Sequence, residues 1–326
     1  MKFNYAILII FFNFNIFAEN LSLEDSLLKN AESTESKLET SYKKGGFQVD
    51  LLSGSEFKSG DVVLLKIQAE NPSLVFEAKA IFSENEVPFF KVSETSSKEE
   101  KYSLVGIPIN HKSSKAEIAV NIVYGEYTQS INIPIMVTEA KETKEIEFIT
   151  LFEQKVRPGD LKTVKRIADE EMELNEMLMT YSSKKYWDNS FDLPVKGRIS
   201  SLFGLNRIYN DNPQRRTHWG IDIPVSVGTR IKTSAPGKVV LSKELYFLGK
   251  TVVVDHGVGV ITLYGHLHNI LVKKGQILKD KQIVGLGGRS GKATGSTLHF
   301  QAVVSKVKID PLSLLKTRIH SDLAQK

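Results

Sequence analysis

Between residues 46 and 140, apolar positions come in short runs at 62–67, 75–82, 87–92, 102–107, 116–123 and 131–137, separated by turn-forming residues. Successive side chains on a strand point to opposite faces. Several such runs at this spacing predict an all-β sandwich. The period then lengthens. After a charged hinge at 141–147 and the stop Arg157-Pro158-Gly159, the apolar residues Leu161, Val164, Ile167, Leu174, Met177, Leu178 and Tyr181 recur at helical spacing, with Asp160 placed to cap the first turn. This predicts a helix to about Ser182 that joins two domains, with Met172, Met177 and Met179 as packing residues. Beyond residue 190 short apolar runs alternate again with tight turns. Runs 252–254 and 258–263 flank His256-Gly257 as a hairpin that leaves His256 at the turn, and 272–275 with 277–285 read as a second turn-and-strand pair. A glycine-rich loop, 285–295, leads to the last strand. It lacks the spacing and following helix of a phosphate-binding loop. The expected fold is mainly β: an N-terminal β-sandwich, a linker helix and a C-terminal antiparallel β-sheet domain.

The first 18 residues carry one lysine and an apolar run ending at Ala18. They predict a secretory signal peptide cleaved after Ala18 rather than an anchor, because Asn13 and Asn15 interrupt a run short for a span of about 20 residues. With no cysteine in the chain, neither a lipoprotein anchor nor a disulfide framework is available. The protein is expected to be exported, periplasmic or associated with the cell envelope. The expected boundaries are 1–18 signal peptide, 19–45 polar linker, 46–140 sandwich, 141–189 hinge and helix, 190–316 C-terminal domain and 317–326 tail. A fragment starting near Lys184 is expected to fold alone.

Charge divides along the same line. Residues 19–189 carry 21 Lys+Arg against 30 Asp+Glu, whereas residues 190–316 carry 19 against 7. A basic domain draws anionic polymers or peptide carboxylates, but no aromatic-interleaved basic run points to nucleic acid. Five of the seven histidines fall between His218 and His299. They occur in His218-Trp219-Gly220-Ile221-Asp222, at His256, in Tyr264-Gly265-His266-Leu267-His268 and in Thr297-Leu298-His299-Phe300. A helical reading of the first segment fails because Gly220 and Pro224 interrupt it. As strands, each segment offers polar groups to one side and apolar groups to the other. Two histidines and a carboxylate suit zinc, whose catalytic sites take three protein ligands and leave a fourth position open.

These segments, in this order, resemble the lysostaphin-type or LytM-type zinc metallopeptidases that cut peptide cross-links of bacterial peptidoglycan. The resemblance covers residues 193–315 and includes Phe203-Gly204 before the first segment and Asp310-Pro311-Leu312 at the end. It implies that His218, Asp222 and His299 bind Zn2+ and that His266 is a catalytic histidine beside the metal. At Thr297 the family has a second catalytic histidine, so the resemblance leaves activity less assured than metal binding. His268 is a candidate replacement, weighed against a plain surface histidine. Arg207, Tyr209 and Asn210 precede the first ligand as one wall of a groove and are candidate substrate contacts. The N-terminal runs also resemble the immunoglobulin-like domain that precedes the peptidase in secreted members. The implied function is a zinc endopeptidase acting on peptidoglycan in wall remodelling. The alternative is a weakened domain that activates other wall hydrolases, in partnership with them or with division proteins, or that binds the wall.

Overall fold

The computed structural model describes residues 40–92, 100–150, 160–188, 190–210 and 215–319. The expected signal peptide, most of the expected linker and most of the tail lie outside these residues. Among the described residues no helix is long and apolar enough to cross a membrane.

Two five-stranded sheets form the N-terminal part. One runs in the order Thr40–Lys44, Phe47–Leu51, Val62–Ala69, Lys101–Gly106, Phe90–Lys91, and the other in the order Glu56–Lys58, Tyr127–Thr138, Ser114–Tyr124, Glu77–Phe82, Asn85–Pro88. Alternate residues of both, among them Phe47, Val63, Leu65, Ala80, Val120 and Ile133, meet in one core, which makes the pair a sandwich. The linker expected to reach residue 45 ends earlier. Thr40–Lys44 is an edge strand paired antiparallel with Phe47–Leu51. Its polar composition suits an edge, and Gly45 and Gly46 supply the positive φ of 56° and 80° that the connecting turn requires.

The helix Leu161–Leu178 begins where expected, with the Asp160 carboxylate accepting from the Thr163 backbone N–H at 2.8 Å. It stops at Leu178, four residues short of the expected end, and Leu161 (88% exposed) and Met172 (61% exposed) face away from the fold. Its middle is tied to the C-terminal sheet by polar contacts, the Tyr246 backbone N–H donating to Glu170 at 2.6 Å, and its last turns supply the apolar packing. Leu174, Met177 and Leu178 cover Leu241, Val253, Ile261, Leu263 and Val303 on one face of the C-terminal sheet.

That sheet runs in the order Ile221–Pro224, Thr297–Val304, Val260–Leu267, Gly249–Gly257, Gly237–Leu245, Ile277–Leu278, with Val307–Ile309 paired to Thr297–Val304. The hairpin expected around His256 turns instead at Val258-Gly259. His256 lies in the strand Gly249–Gly257, fully buried, with Nδ1 at 2.8 Å from the Pro236 carbonyl and Nε2 at 2.7 Å from Thr262 Oγ1. The strand carries on past the apolar run because those two bonds satisfy the ring inside the core.

Candidate metal centre

His218, Asp222 and His299 arrive from three different local structures. Asp222 and His299 face each other directly across the antiparallel pair Ile221–Pro224 and Thr297–Val304. His218 is not on a strand, contrary to the alternation expected of 218–222. It sits in the bend between Arg216–Thr217 and Ile221–Pro224, held by the bonds His218 N to Leu205 O and Gly204 N to His218 O, both 2.8 Å. The bend brings Gly220 so close to the neighbouring strand that a Cβ there would lie 2.4 Å from the Phe300 carbonyl oxygen. Any side chain at 220 would push the two ligand segments apart.

The three donor atoms converge. Asp222 Oδ1 lies 3.0 Å from His299 Nδ1 and 3.3 Å from His218 Nε2, and the two imidazole nitrogens are 3.1 Å apart. Ligands at 2.0–2.1 Å from one tetrahedral ion stand roughly 3.3 Å from each other, so the triangle has the size of one face of such a shell. Protonation fits as well. His218 donates from Nδ1 to the Leu202 carbonyl at 2.8 Å, which leaves the Nε2 lone pair facing the other donors. Burial lowers the His218 pKa, against the opposing pull of Asp222. For Asp222 burial works the other way, but His218 and His299 prevail and hold the carboxyl well below its usual range.

A chain of charges supports Asp222 from behind. Arg207 Nη2 donates to Asp222 Oδ2 at 2.5 Å and to Ser201 Oγ at 2.7 Å, while its Nε donates to Glu147 Oε2 at 2.7 Å. Glu147 belongs to the segment expected as a hinge. That segment forms the strand Ile146–Ile149, parallel to Asn206–Tyr209, with Glu147 opposite Arg207. Arg207 lines the groove as expected, but these three acceptors engage its guanidinium. Sequence reasoning missed Glu147 because its partner lies 60 positions away; its alternation with Ile146 and Phe148 was the available signal.

His266 reaches the groove through a local irregularity. Gly265 and His266 together oppose the single residue Thr251, a bulge, and His266 has φ of +61°. Strict alternation would put His266 on the side of Tyr264, in the core. With the bulge, His266 lines the same cavity as His218 and His299, a space of about 450 Å³. Gly265 stands opposite His299, where a Cβ would be 3.4 Å from the His299 Cβ. His266 donates from Nδ1 to the Ser290 carbonyl at 2.9 Å, which leaves Nε2 free. Burial, then the nearby His299, push its pKa down to about 4. A positive φ in a non-glycine residue beside a metal-ligand cluster is the kind of strain that functional sites retain.

The other expected residues divide. Tyr209 lines the cavity wall with Arg207; Asn210, at the strand end with φ of +48°, is not among the lining residues. His268 is exposed and also lies outside the lining. Thr297 is the first residue of the strand that carries His299, opposite Pro224; it too lies outside the lining, with its hydroxyl buried and without a hydrogen-bond partner among the described residues. Lys292 was not expected. It lies in the glycine-rich loop and its ammonium sits 3.5 Å from the Tyr209 ring centroid.

A triangle of candidate metal ligands and a free imidazole share one groove on the β-sheet, and comparison with known proteins places the chain more closely. Residues 216–311 match the model of Peptidase family M23, so the C-terminal part carries a domain of that family. The peptidoglycan DD-endopeptidase ShyA of Vibrio cholerae is 37% identical over 129 residues, which are 40% of this chain and 29% of that protein. ShyB of the same organism is 33% identical over 115 residues, 35% of this chain and 27% of that protein. The chain thus spans less than a third of the length of either relative. A crystal structure of a Pseudomonas aeruginosa protein assigned to peptidase M23 superposes with a TM-score of 0.58 at 26% identity, covering 79% of this chain and 94% of the other. That coverage is too large for the family domain alone, and so the shared architecture includes N-terminal strands.

Proposed function

We propose that this protein is a zinc-dependent endopeptidase that hydrolyses peptide cross-links of peptidoglycan outside the cytoplasmic membrane, in wall remodelling. The observation that carries the proposal is the convergence of His218, Asp222 and His299 on one point beside the free Nε2 of His266. The names of the relatives, both peptidoglycan DD-endopeptidases, supply the substrate class. Zinc held by the three residues would supply Lewis acidity toward an amide carbonyl and a water of lowered pKa. Asp222 and two neutral imidazoles leave that centre a net charge of +1, which favours developing negative charge. His266, neutral and bonded at Nδ1, is fitted to accept a proton at Nε2 and to return it to the leaving amine. The Arg207, Ser201 and Glu147 network keeps Asp222 in place. An alternative, a regulator of other wall hydrolases or a wall-binding module, draws support from Thr297, which stands where the resemblance places an imidazole.

Digestion of purified sacculi by the full chain, with mass spectrometry of the released fragments, tests the reading. The expected products carry newly freed peptide ends, disappear with a chelator and return with zinc. His299→Ala should lower zinc affinity by orders of magnitude, because one of three protein ligands is lost. Full zinc occupancy in that variant would refute the ligand assignment. Intact sacculi with a zinc-loaded wild type would favour the regulator.

A further inference from the structure

The groove carries more positive charge than the metal donors use. Arg207, Arg216, Lys292 and Lys308 line it, with Glu171 of the helix as the acidic side chain among the lining residues. Two of these cations are committed. Arg207 is paired with Asp222 and Glu147, and Lys308 lies in the field of Glu171 and 4.7 Å from the Trp219 ring centroid. Arg216 and Lys292 have no carboxylate within ion-pair distance among the described residues. Both rest on aromatic rings instead. The Lys292 ammonium lies 3.5 Å from the Tyr209 centroid and 5.1 Å from that of Phe247, and the Arg216 guanidinium lies 5.6 Å from the same Phe247 ring. Ring faces attract cations but accept none of their N–H donors in full strength. The two groups therefore keep hydrogen-bonding capacity directed at the groove.

The pair also repels itself. Burial, then Arg216 and Arg207, lower the Lys292 pKa to about 8. An anion between them would be attracted by both charges and would relieve their repulsion. The loop carrying Lys292 is fixed in place: Lys292 N donates to Phe247 O at 2.6 Å, and Ser290 Oγ donates to Leu267 O at 2.7 Å. The same Ser290 supplies the carbonyl that orients His266. The cationic pair and the free imidazole are thus held by one short stretch of chain.

We propose that Arg216 and Lys292, seated on Tyr209 and Phe247, form a subsite for a free carboxylate of the substrate peptide, close to the bond that is cut. This rests on the peptidase reading above and narrows its substrate class: a cross-link whose flanking residue bears an ionised carboxyl, in preference to one that is amidated or uncharged. A guanidinium and an ammonium on one side of a groove match a carboxylate in charge and donor geometry. Since the group cut is a peptide bond, the anion is one that a peptide carries.

The test uses the zinc-loaded full chain and two synthetic cross-linked peptides, identical except that the carboxyl next to the scissile bond is free in one and amidated in the other. The free-carboxylate peptide should show a KM lower by roughly 10-fold or more, the order of one charge-assisted contact. Lys292→Gln and Arg216→Gln should each raise that KM toward the amide's, with zinc stoichiometry unchanged. Arg216 is exposed, so its variant serves if the half-buried Lys292→Gln fails to fold. Cleavage of both peptides with equal KM overturns the subsite and leaves the peptidase reading standing. If neither is cut, calorimetry with the same pair decides. Tighter binding of the free-carboxylate peptide, lost in Arg216→Gln, keeps the subsite while the hydrolase reading falls; equal affinity overturns both.

Discussion

Two histidines of this chain are buried and pushed down to about 4, yet only one has a nitrogen to offer. His256 uses both, toward Pro236 and Thr262, and is structural. His266 uses one. Since the folded-state pKa of His256 lies below the unfolded value of 6.5, both states are neutral above that pH and the difference is silent. As pH falls from 6.5 toward 4 the unfolded chain takes up a proton that the folded chain refuses, and stability falls, by about 2 kcal/mol at pH 5. His256→Gln removes this loss. Its destabilising effect in urea denaturation should therefore shrink by about 2 kcal/mol between pH 7 and pH 5, and an unchanged effect would contradict a neutral His256 in the folded state. Thr297 poses the opposite case, a hydroxyl buried without a partner among the described residues, where the resemblance implies an imidazole. If the enzyme is slow for want of that group, Thr297→His should raise turnover on peptidoglycan, general acid–base assistance being worth about 10² to 10⁴, with zinc content unchanged. No gain, together with intact sacculi, would point to the regulator.

At the scale of elements, the strands were legible because apolar alternation records which face is buried, and runs 62–67, 102–107, 116–123 and 131–137 all lie within or across observed strands. The candidate ligand residues stood out for a different reason: their order resembles a family, and alternation alone does not place His218 or His266. His218 lies off its expected strand, and His266 enters the groove through a bulge that strict alternation would not produce. Long-range pairings were not legible. The parallel ladder between Ile146–Ile149 and Asn206–Tyr209 joins a segment that reads as a charged hinge to the wall of the groove. It makes Glu147 a positioning residue for Asp222 through Arg207. Glu147→Gln should leave the far-ultraviolet circular dichroism unchanged and weaken zinc about 10-fold or more in chelator competition, the usual effect of losing a partner that orients a ligand. Unaltered zinc affinity would mean that Arg207 holds Asp222 without help from that strand.

At the scale of the molecule, the sandwich and the C-terminal sheet share a core. Val62–Ala69 is buried on both faces: Val63, Leu65 and Ile67 point into the sandwich, while Val62 and Leu64 meet Val260, Ala302, Val304 and Ile309 of the other sheet. Tyr102 and Leu104 join them. Polar bonds cross the same joint, including Val62 N to Ser313 Oγ at 2.9 Å, Asp310 N to Gly60 O at 2.8 Å and Asn85 Nδ2 to Ser305 O at 2.7 Å. Contact is close enough that a Cβ on Gly106 would lie 2.9 Å from Val307 Cβ. The run Val62-Val63-Leu64-Leu65 contains this information in the sequence, since a strand with one wet face would alternate, but it does not name the second partner. A fragment starting near Lys184, expected from sequence to fold alone, would leave Val260, Val304 and Ile309 bare. It should therefore be less stable than the same sheet in the whole chain and prone to associate. In the whole chain, Leu64→Ala on the sandwich side should cost about 2–5 kcal/mol, and the zinc site should melt with the sandwich in a single transition shifted to lower temperature. Calorimetry combined with a zinc-release dye measures both at once. Two separate transitions, with zinc release unmoved by Leu64→Ala, would show that the joint is a contact between independent domains rather than a common core.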